Sequence, residues 1–380
     1  MRARGMAAGI AMAALCACGG GGSAGGTVTP PVSAPAPAPT PTPTPAPTPT
    51  PTATSAGYTP AAAFRPTTGA AIPIGKCVNM GNHLEAPNEG DWGRAIVDAD
   101  FTIIKSAGFD TIRLPVRWSN HALAAAPYTI DATFLAHVRH VVDTARGAGL
   151  NVLLNLHHYE EMATAPAAHA ERFAMLWKQI AAAFADEPEA SVWFELMNEP
   201  NGALNDSNLL AILTPALAQV RATNPTRPVI IGGQNWSGVS SLATLQLPDD
   251  PRLVVTIHTY DPFDFTHQNA TWLAPGRVPP LGRTFGGADD LRALDANLAT
   301  VRGYMQRTGR QVFVGEYGAN DDPGIPLAQR VLYYGTVSSA YASIGVQSCA
   351  WAYANTFRLR DGAAWLPGMV EAIRTTATLQ

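Results

Sequence analysis

The sequence predicts an α/β fold, specifically a (β/α)8 TIM barrel, preceded by a signal segment and a disordered linker rich in proline and threonine. From residue 58 onward, short apolar runs alternate with stretches of helical periodicity, which is typical of a parallel sheet covered by helices. There are eight such runs, and their interiors are nearly free of charge, as expected for strands buried on both faces. Eight repeats favour a closed barrel over an open sheet.

The predicted strands span residues 74–81, 111–116, 151–158, 191–198, 228–233, 252–260, 311–318 and 345–353. Helical patterns separate most of them. After the second strand, Phe134, Val138 and Val142 fall on one helical face. No helical pattern is evident between the fifth and sixth strands, which is the weakest of the repeats.

Composition limits the possible classes of protein. The chain has 380 residues, of which 47% are hydrophobic and 14% charged, with a net charge of −4. This is ample for a large core, and for one large domain or two ordinary ones. The eight repeats favour a single domain over residues 58–380. Because there is no basic stripe, a nucleic-acid partner is not expected. No apolar run reaches the roughly 18 residues that a membrane span requires.

The amino terminus is expected to be a lipoprotein-type signal peptide over residues 1–18. Arg2 and Arg4 precede a short apolar stretch, and the sequence "LCAC" ending at Cys18 resembles a bacterial lipobox. Cys18 would then carry the lipid, and Gly19 after it is typical of export to the outer membrane of a Gram-negative bacterium. The alternative is ordinary signal cleavage, which would leave a secreted protein.

Residues 19–57 are expected to be a Gly-rich and Pro/Thr-rich linker. Eleven prolines lie between Pro30 and Pro51, a composition that cannot form a packed core. At about 3.1 Å per residue, this stretch would extend roughly 70 Å in a polyproline conformation. Such a spacer would hold the domain away from the membrane.

Two cysteines, Cys77 and Cys349, lie within the predicted domain. An exported protein can form a disulfide, and two buried free thiols fit the sequence at least as well. Neither cysteine has a second Cys or His pair at the spacing of a zinc site.

Polar residues concentrate at the carboxyl ends of the predicted strands, where a barrel exposes its active site. These residues are Asn79, Asn82, Arg113, His157, His158, Asn198, Glu199, His258, Tyr260, Glu316, Tyr317 and Trp351. Glu199 and Glu316 follow the fourth and seventh strands and would face each other across the mouth. Paired carboxylates suit glycoside hydrolysis, because one can protonate the leaving oxygen while the other attacks the anomeric carbon or activates water.

Five stretches, "TIRLPV", "LNLHH", "NEP", "IHTYDPF" and "GEYG", occur in this order along residues 111–318. Together they resemble glycoside hydrolase family 5, which belongs to a clan of retaining (β/α)8 hydrolases. "NEP" alone is a weak signal, whereas the ordered set is specific. The resemblance covers residues 74–351.

The resemblance implies that Glu199 is the general acid/base and Glu316 the nucleophile. It also implies that Arg113 supports the nucleophile, that Asn198 contacts the sugar 2-hydroxyl and that Tyr260 hydrogen-bonds Glu316.

Further site residues follow from the same resemblance. His157 matches the histidine of the third strand, His258 pairs with Tyr260 in a His-x-Tyr motif, and Trp351 resembles the aromatic platform under the sugar. The strand-one histidine of some members is missing here, and Asn79 or His83 is expected to substitute for it.

Other polar and aromatic residues have structural interpretations. Glu195 is expected to form an ion pair at the barrel base or wall, and His158 to pack in the core. Glu85 and Glu89 are expected to be solvated loop carboxylates rather than catalytic groups. Tryptophans divide into two sets. Trp177 and Trp193 are expected in the core, and Trp92, Trp118, Trp236 and Trp272 on or near loops at the mouth.

The expected function is that of a retaining endo-β-glycanase that acts on a β-linked polysaccharide, with an endo-β-1,4-glucanase as the first choice. The protein is expected to be a monomer. No metal ion or organic cofactor is implied. Rival substrates are mixed-linkage β-glucan, mannan, xylan and xyloglucan, because loops such as residues 263–287 set specificity.

A non-catalytic carbohydrate-binding protein is the alternative from another class, and the intact pair of Glu199 and Glu316 argues against it. A zinc hydrolase would need three ligands at the strand ends. His157 and His258 supply only two.

Overall fold

The computed structural model describes residues 57–377, and within them eight parallel strands form a closed barrel in sequence order. The (β/α)8 prediction is confirmed. The strands are β1 (Cys77–Asn79), β2 (Thr111–Leu114), β3 (Asn151–Asn155), β4 (Val192–Glu195), β5 (Val229–Gly232), β6 (Leu253–His258), β7 (Val312–Tyr317) and β8 (Ser348–Ala350). The expected signal peptide at 1–18 with its Cys18, and residues 19–56 of the expected linker, lie outside the described residues.

Each predicted strand contains one observed strand, and the predicted runs extend past the observed ends into the loops of the mouth. The longer helices are α1 (Ala99–Ser106), α2 (Ala132–Gly147), α3 (Pro166–Ala183), α4 (Leu209–Arg221), α5 (Ala288–Thr308) and α6 (Leu327–Ala342). Shorter helical turns span Trp118–His121, Glu160–Ala163, Gln234–Ser237, Val239–Ala243, Phe263–Thr266 and Met369–Ala372, and Arg360–Asp361 pairs with Ala364–Trp365. As expected, only short turns occur within residues 233–252, all of which are described.

Helix boundaries follow local chemistry. The Asp131 carboxylate accepts the Phe134 N–H at 2.8 Å and caps α2. At the start of α5, Asp290 accepts the N–H groups of Gly286 and Gly287. That helix ends at Gly309, whose φ of 68° is the left-handed conformation that glycine adopts without strain.

The barrel interior changes from apolar to polar along its axis. Its amino-terminal half is filled by Ala70, Ile72, Ile74, Cys77, Leu153, Trp193, Ile230, Val254, Phe313 and Cys349. Because strand side chains alternate, the next inward residues lie two positions further toward the mouth. On β1, β3 and β4 they are Asn79, Asn155 and Glu195, all fully buried. The apolar half therefore supports a buried polar layer directly beneath the mouth.

Cys77 and Cys349 form a disulfide that joins β1 to β8. The two residues are partners in the parallel register, with Cα atoms 4.4 Å apart, although 272 residues separate them in sequence. The bridge therefore closes the barrel at the seam between its first and last strands. The alternative of two buried free thiols, which fitted the sequence at least as well, is therefore not observed.

Across residues 57–377, none of the helices combines the length and the apolar character that crossing a bilayer demands.

Candidate active site

Arg113 on β2 organises the polar layer. It is fully buried, and its guanidinium group donates hydrogen bonds to four side chains. Its Nε and Nη2 donate to the Glu195 carboxylate at 2.8 Å each, its Nη1 to Glu316 Oε1 at 2.6 Å and Asn79 Oδ1 at 3.0 Å, and its Nη2 to Asn198 Oδ1 at 2.7 Å. One guanidinium thus orients two glutamates and two asparagines. The expectation that Glu195 forms an ion pair in the barrel wall agrees with this geometry.

Glu316 lies near the end of β7 and is 4% exposed. Its Oε1 accepts from Arg113, and its Oε2 accepts from the Tyr260 hydroxyl at 2.8 Å. Burial raises the pKa of Glu316 above its usual range, against the opposing charge of Arg113. Two donors therefore hold the carboxylate in one orientation, with one donor on each oxygen.

Glu199 follows β4 in a left-handed conformation, with φ of 48°, between Asn198 and Pro200. Its Oε1 lies 2.8 Å from Nδ1 of His258. Burial raises the pKa of Glu199 to about 7, with Arg113 opposing the rise and the charge of Glu195 adding to it. The side chain is 23% exposed, so it can exchange protons with solvent. A carboxyl group in this environment keeps its proton close to neutral pH.

The two glutamates lie close together. One carboxylate oxygen of each, and a ring nitrogen of His258, all lie within 4.8 Å of one another. This separation is typical of retaining glycosidases, since inverting ones keep their carboxyl groups about 6.5–9.5 Å apart. The same three atoms are the set with which the described part of the chain could ligate a metal ion. The guanidinium of Arg113, 2.6 Å from Glu316, opposes a cation at that position.

An aromatic wall borders the glutamates on the side of β3 and β8. Trp351 stacks on His157, with ring centroids 5.8 Å apart and planes 15° apart. Burial lowers the pKa of His157 well below its usual range, so the imidazole is neutral. A Cβ atom at position 81 would lie 2.7 Å from the Trp351 ring, so only glycine fits beneath this platform.

The expectation that His158 packs in the core is wrong. It is partly exposed and lies edge-on to Trp92, with ring centroids 5.5 Å apart. The strand ends at Asn155, and His158 adopts a left-handed φ of 49°. Because the two-residue alternation stops with the strand, consecutive histidines no longer point to opposite faces.

Of the two candidates for the strand-one position, the structure brings Asn79 into the site. Its Oδ1 accepts from Arg113, and its Nδ2 donates to the Gly315 carbonyl at 2.9 Å. His83 is buried beneath the following loop, with Nδ1 2.7 Å from the Gly81 carbonyl. Burial, assisted by the charge of Arg94, lowers the pKa of His83 to about 4. His83 contacts neither glutamate.

The expectation that Glu85 is solvated is wrong, whereas Glu89 keeps partial contact with solvent. The Glu85 carboxylate is fully buried and accepts the N–H groups of Asn82 and His83, which the turn after β1 leaves unpaired. Burial raises the pKa of Glu85 to about 7, and the charge of Glu316 adds to the rise. Glu89 is partly buried and accepts the Ile96 N–H at 2.8 Å.

Tryptophans at the mouth separate into exposed and buried ones. Trp92, Trp236 and Trp272 are 39%, 56% and 53% exposed, as expected for loop residues. Trp118 also lies in the connection after β2, as expected, but it is fully buried and donates from Nε1 to the Asn155 carbonyl at 3.1 Å, so it offers no surface to a ligand. The core positions of Trp177 and Trp193 are confirmed.

Sequence reasoning missed an aromatic cluster around Trp272. His267 and Phe357 both pack against Tyr260 and Trp272, with ring centroids 5.3–6.4 Å apart. Tyr260 connects this cluster to Glu316. The aromatic residues of 263–272 were the available signal, but Phe357 comes from the distant loop after β8.

Comparison with known proteins agrees with this geometry. The family model described as "Cellulase (glycosyl hydrolase family 5)" matches residues 75–356. Endoglucanase H of Acetivibrio thermocellus is 35% identical over 278 residues, which cover 73% of this chain and 29% of that protein. The cellulase/esterase CelE of the same organism is 27% identical, over 72% of this chain and 34% of that protein. The chain thus spans about a third of the length of these curated relatives.

Solved structures are also similar. The Cel5A structure of Thermotoga maritima in complex with mannotriose is 38% identical, with a TM-score of 0.76 over 79% of this chain and 97% of that chain. A hyperthermophilic endo-β-1,4-glucanase in complex with substrate is 37% identical, with a TM-score of 0.76 over 79% of this chain and 96% of that chain. The chain therefore belongs to glycosyl hydrolase family 5, the cellulase family.

Proposed function

We propose that the protein is a retaining endo-β-1,4-glucanase that hydrolyses β-glucan chains by double displacement. The observation that carries the proposal is the contrast between Glu316 and Glu199, whose oxygens lie within 4.8 Å of each other. Glu316 has a cationic donor and a hydroxyl donor on its two oxygens, whereas Glu199 has a pKa of about 7. Opposite environments of this kind divide two carboxyl groups into a nucleophile and an acid.

In the first step Glu316 attacks the anomeric carbon while Glu199 donates its proton to the departing glycosidic oxygen. The bond from the anomeric carbon to the leaving oxygen breaks, and an ester bond to Glu316 forms. In the second step Glu199, now ionised, accepts a proton from water. The water oxygen attacks the anomeric carbon and releases Glu316 as a carboxylate.

Neighbouring side chains would position the sugar. Arg113 holds Oδ1 of Asn198, which leaves its Nδ2 as a donor suited to the sugar 2-hydroxyl. Trp351 offers a flat apolar surface beside the glutamates, and such surfaces suit the faces of pyranose rings. The backbone N–H of Trp236 donates to the Pro200 carbonyl at 3.0 Å, which brings this exposed tryptophan next to the Glu199 segment and extends the aromatic surface. Exposed tryptophans beyond the glutamates suit a long chain and hence endo cleavage.

Mannan is the second candidate substrate. Titles of the Thermotoga maritima Cel5A structures record complexes with mannotriose and with cellobiose, and these structures are 37–38% identical to this chain. Mixed-linkage glucan, xyloglucan and xylan are the remaining comparators, because the loops set the preference.

Reducing-end release by the purified protein tests the proposal. We expect release from carboxymethyl cellulose, with mixed-linkage glucan, xyloglucan, mannan and xylan compared in parallel, and loss of release in Glu316→Gln. Proton NMR of the first product should show the β anomer, as retention requires. A folded protein that releases nothing from any of these glycans would favour the non-catalytic carbohydrate-binding alternative.

We also propose that the protein is exported as a monomer, either anchored by a lipid on Cys18 at the outer membrane of a Gram-negative bacterium or secreted. The Cys77–Cys349 disulfide supports an oxidising compartment. Labelled palmitate should enter the wild-type protein in cells and be absent from Cys18→Ser. Light scattering should give a mass near that of a single chain, which is 40.0 kDa before any processing.

A further inference from the structure

We propose that Glu195 is a positioning residue that balances the charge of Arg113 and thereby sets the pH range in which Glu199 and Glu316 work. The inference rests on the proposed function of those two glutamates, and it adds a third carboxylate that need not touch the substrate.

The geometry couples Glu195 tightly to Arg113. Glu195 is the last residue of β4, and strand alternation places it above Trp193 in the barrel interior, where it is fully buried. Its two oxygens accept the Nε and Nη2 donors of Arg113 at 2.8 Å each, and Asn155 adds a donor at 3.3 Å. This two-bond fork aligns the guanidinium plane, so that Nη1 points at Glu316.

Titratable groups surround this pair from most sides of the barrel. They are Glu85 after β1, His157 after β3, Glu199 after β4, His258 at the end of β6, Tyr260 just after β6, and Glu316 on β7. Burial lowers the pKa values of His157 and His258, so both rings are neutral near neutral pH. Arg113 is then the permanent cation of the cluster, and Glu195 and Glu316 share it.

Of these two glutamates, Glu195 interacts more strongly with Arg113. Burial would raise its pKa, but Arg113 at two hydrogen bonds holds the pKa below the usual range, so Glu195 stays ionised. Glu316 receives a single hydrogen bond from the same cation, and burial keeps its pKa raised. The charge of Glu195 also contributes to the raised pKa of Glu199. Both proposed catalytic carboxyl groups therefore titrate higher than they would beside an unbalanced Arg113.

This balance of charges matters most during the covalent step. When Glu316 becomes an ester, its negative charge is lost. Without Glu195, Arg113 would then be a buried cation with no hydrogen-bonded carboxylate, which is strongly unfavourable. With Glu195 ionised, Arg113 keeps a partner through both displacement steps.

Glu195→Gln tests the proposal because it keeps the shape of the side chain and removes its charge. Loss of a negative charge makes ionisation of Glu316 and Glu199 easier, so both pKa values should fall. Both limbs of the bell-shaped profile of kcat/KM against pH should move to lower pH, by about one unit. We also expect kcat at the wild-type optimum to fall about 100-fold, because Nη1 is no longer held in place.

Glu187→Gln is the matched control. Glu187 is a buried carboxylate, 3.1 Å from Arg139, and it precedes β4 at the opposite end of the barrel. Loss of the Glu187 carboxylate should lower Tm, but both limbs of the profile of kcat/KM against pH should stay at the wild-type pH. Glu195→Asp retains the charge, so its limbs should stay at the wild-type pH even where the rate falls. If Glu195→Gln folds and both limbs of its pH profile stay at the wild-type pH, the proposal is wrong.

A second measurement on the wild-type protein applies even where Glu195→Gln does not fold. Carbon-13 NMR of labelled glutamate carboxyl groups, assigned with Glu199→Gln and Glu316→Gln, should show that Glu195 titrates below the usual range of a glutamate and stays ionised throughout the pH range of activity. A Glu195 that is protonated in this range would also overturn the inference. Failure of the proposed function would look different, with Glu316→Gln as active as the wild type or with no glycan cleaved.

Discussion

Nδ1 of His258 and Oε1 of Glu199 lie 2.8 Å apart, and this contact joins the end of β6 to the residue that the turn after β4 delivers to the mouth. Burial lowers the pKa of His258, so the imidazole is neutral in the range where Glu199 titrates. A neutral ring nitrogen can accept from the protonated carboxyl or, in the other tautomer, donate to the carboxylate. The contact can therefore persist in both states that the proposed cycle requires.

The pH profile should show the proton on Glu199. Its pKa is about 7, and the first step needs the protonated form. We expect kcat/KM to fall as pH rises through about 7, because the acid is lost. In Glu199→Gln this basic limb should disappear for an aryl cellobioside with a good leaving group, which needs no protonation. A basic limb that persists in Glu199→Gln would assign it to another group.

Tyr260→Phe should lower kcat about 100-fold with little change in KM. The substitution removes the hydroxyl that donates to Glu316 Oε2 at 2.8 Å, and loss of one such donor typically costs this much. Tyr304→Phe, at a buried tyrosine on α5, is the matched control and should leave kcat unchanged. Equal effects of the two substitutions on kcat would show that Tyr260 acts only through packing.

Gly81→Ala should disturb the Trp351 platform, because the added Cβ would lie 2.7 Å from the indole ring. We expect at least a tenfold fall in kcat/KM, measured with a soluble cello-oligosaccharide. Gly147→Ala is the control. Position 147 ends α2, has open space for a Cβ, and should gain up to about 1 kcal/mol of stability. Wild-type kcat/KM in Gly81→Ala would mean that Trp351 tolerates displacement.

Removing the disulfide should cost stability and leave catalysis intact. Cys77 and Cys349 lie in the apolar half of the barrel, below the polar layer that holds the glutamates. A cross-link spanning 272 residues is expected to contribute about 5.6 kcal/mol in the chain-entropy account. The double variant Cys77→Ser, Cys349→Ser should therefore melt at lower temperature and keep the wild-type kcat at temperatures where it is folded. Native protein that reacts with a thiol reagent at these positions without reductant would contradict the bridge.

Several features of the fold and site are readable from sequence because they are local. Strand centres such as residues 152–154 are apolar because the strands are buried on both faces, and polar residues concentrate where each strand reaches the mouth. Glu199 and Glu316 stand at such ends, so topology alone brings them together. The missing helix between β5 and β6 was visible for the same reason, since periodicity belongs to a single segment.

Features that depend on contacts between distant segments could not be read in this way. Trp118 lies in the connection after β2, but its side chain is fully buried and its indole N–H donates to the Asn155 carbonyl on β3. His158 escapes the strand alternation because its backbone turns left-handed after β3 ends. Glu85 is buried by the turn that it caps, and Asn79 enters the site because Arg113 and Gly315 fix it there.

By itself, then, the sequence determined the barrel, the order of its strands and the two glutamates that face each other, because period and strand-end polarity are properties of short segments. Only the tertiary structure decided which charges share Arg113, which candidate occupies the strand-one position, and that Cys77 meets Cys349. Those outcomes depend on barrel closure, which brings residues up to 272 positions apart into contact and sets their hydrogen bonds and burial.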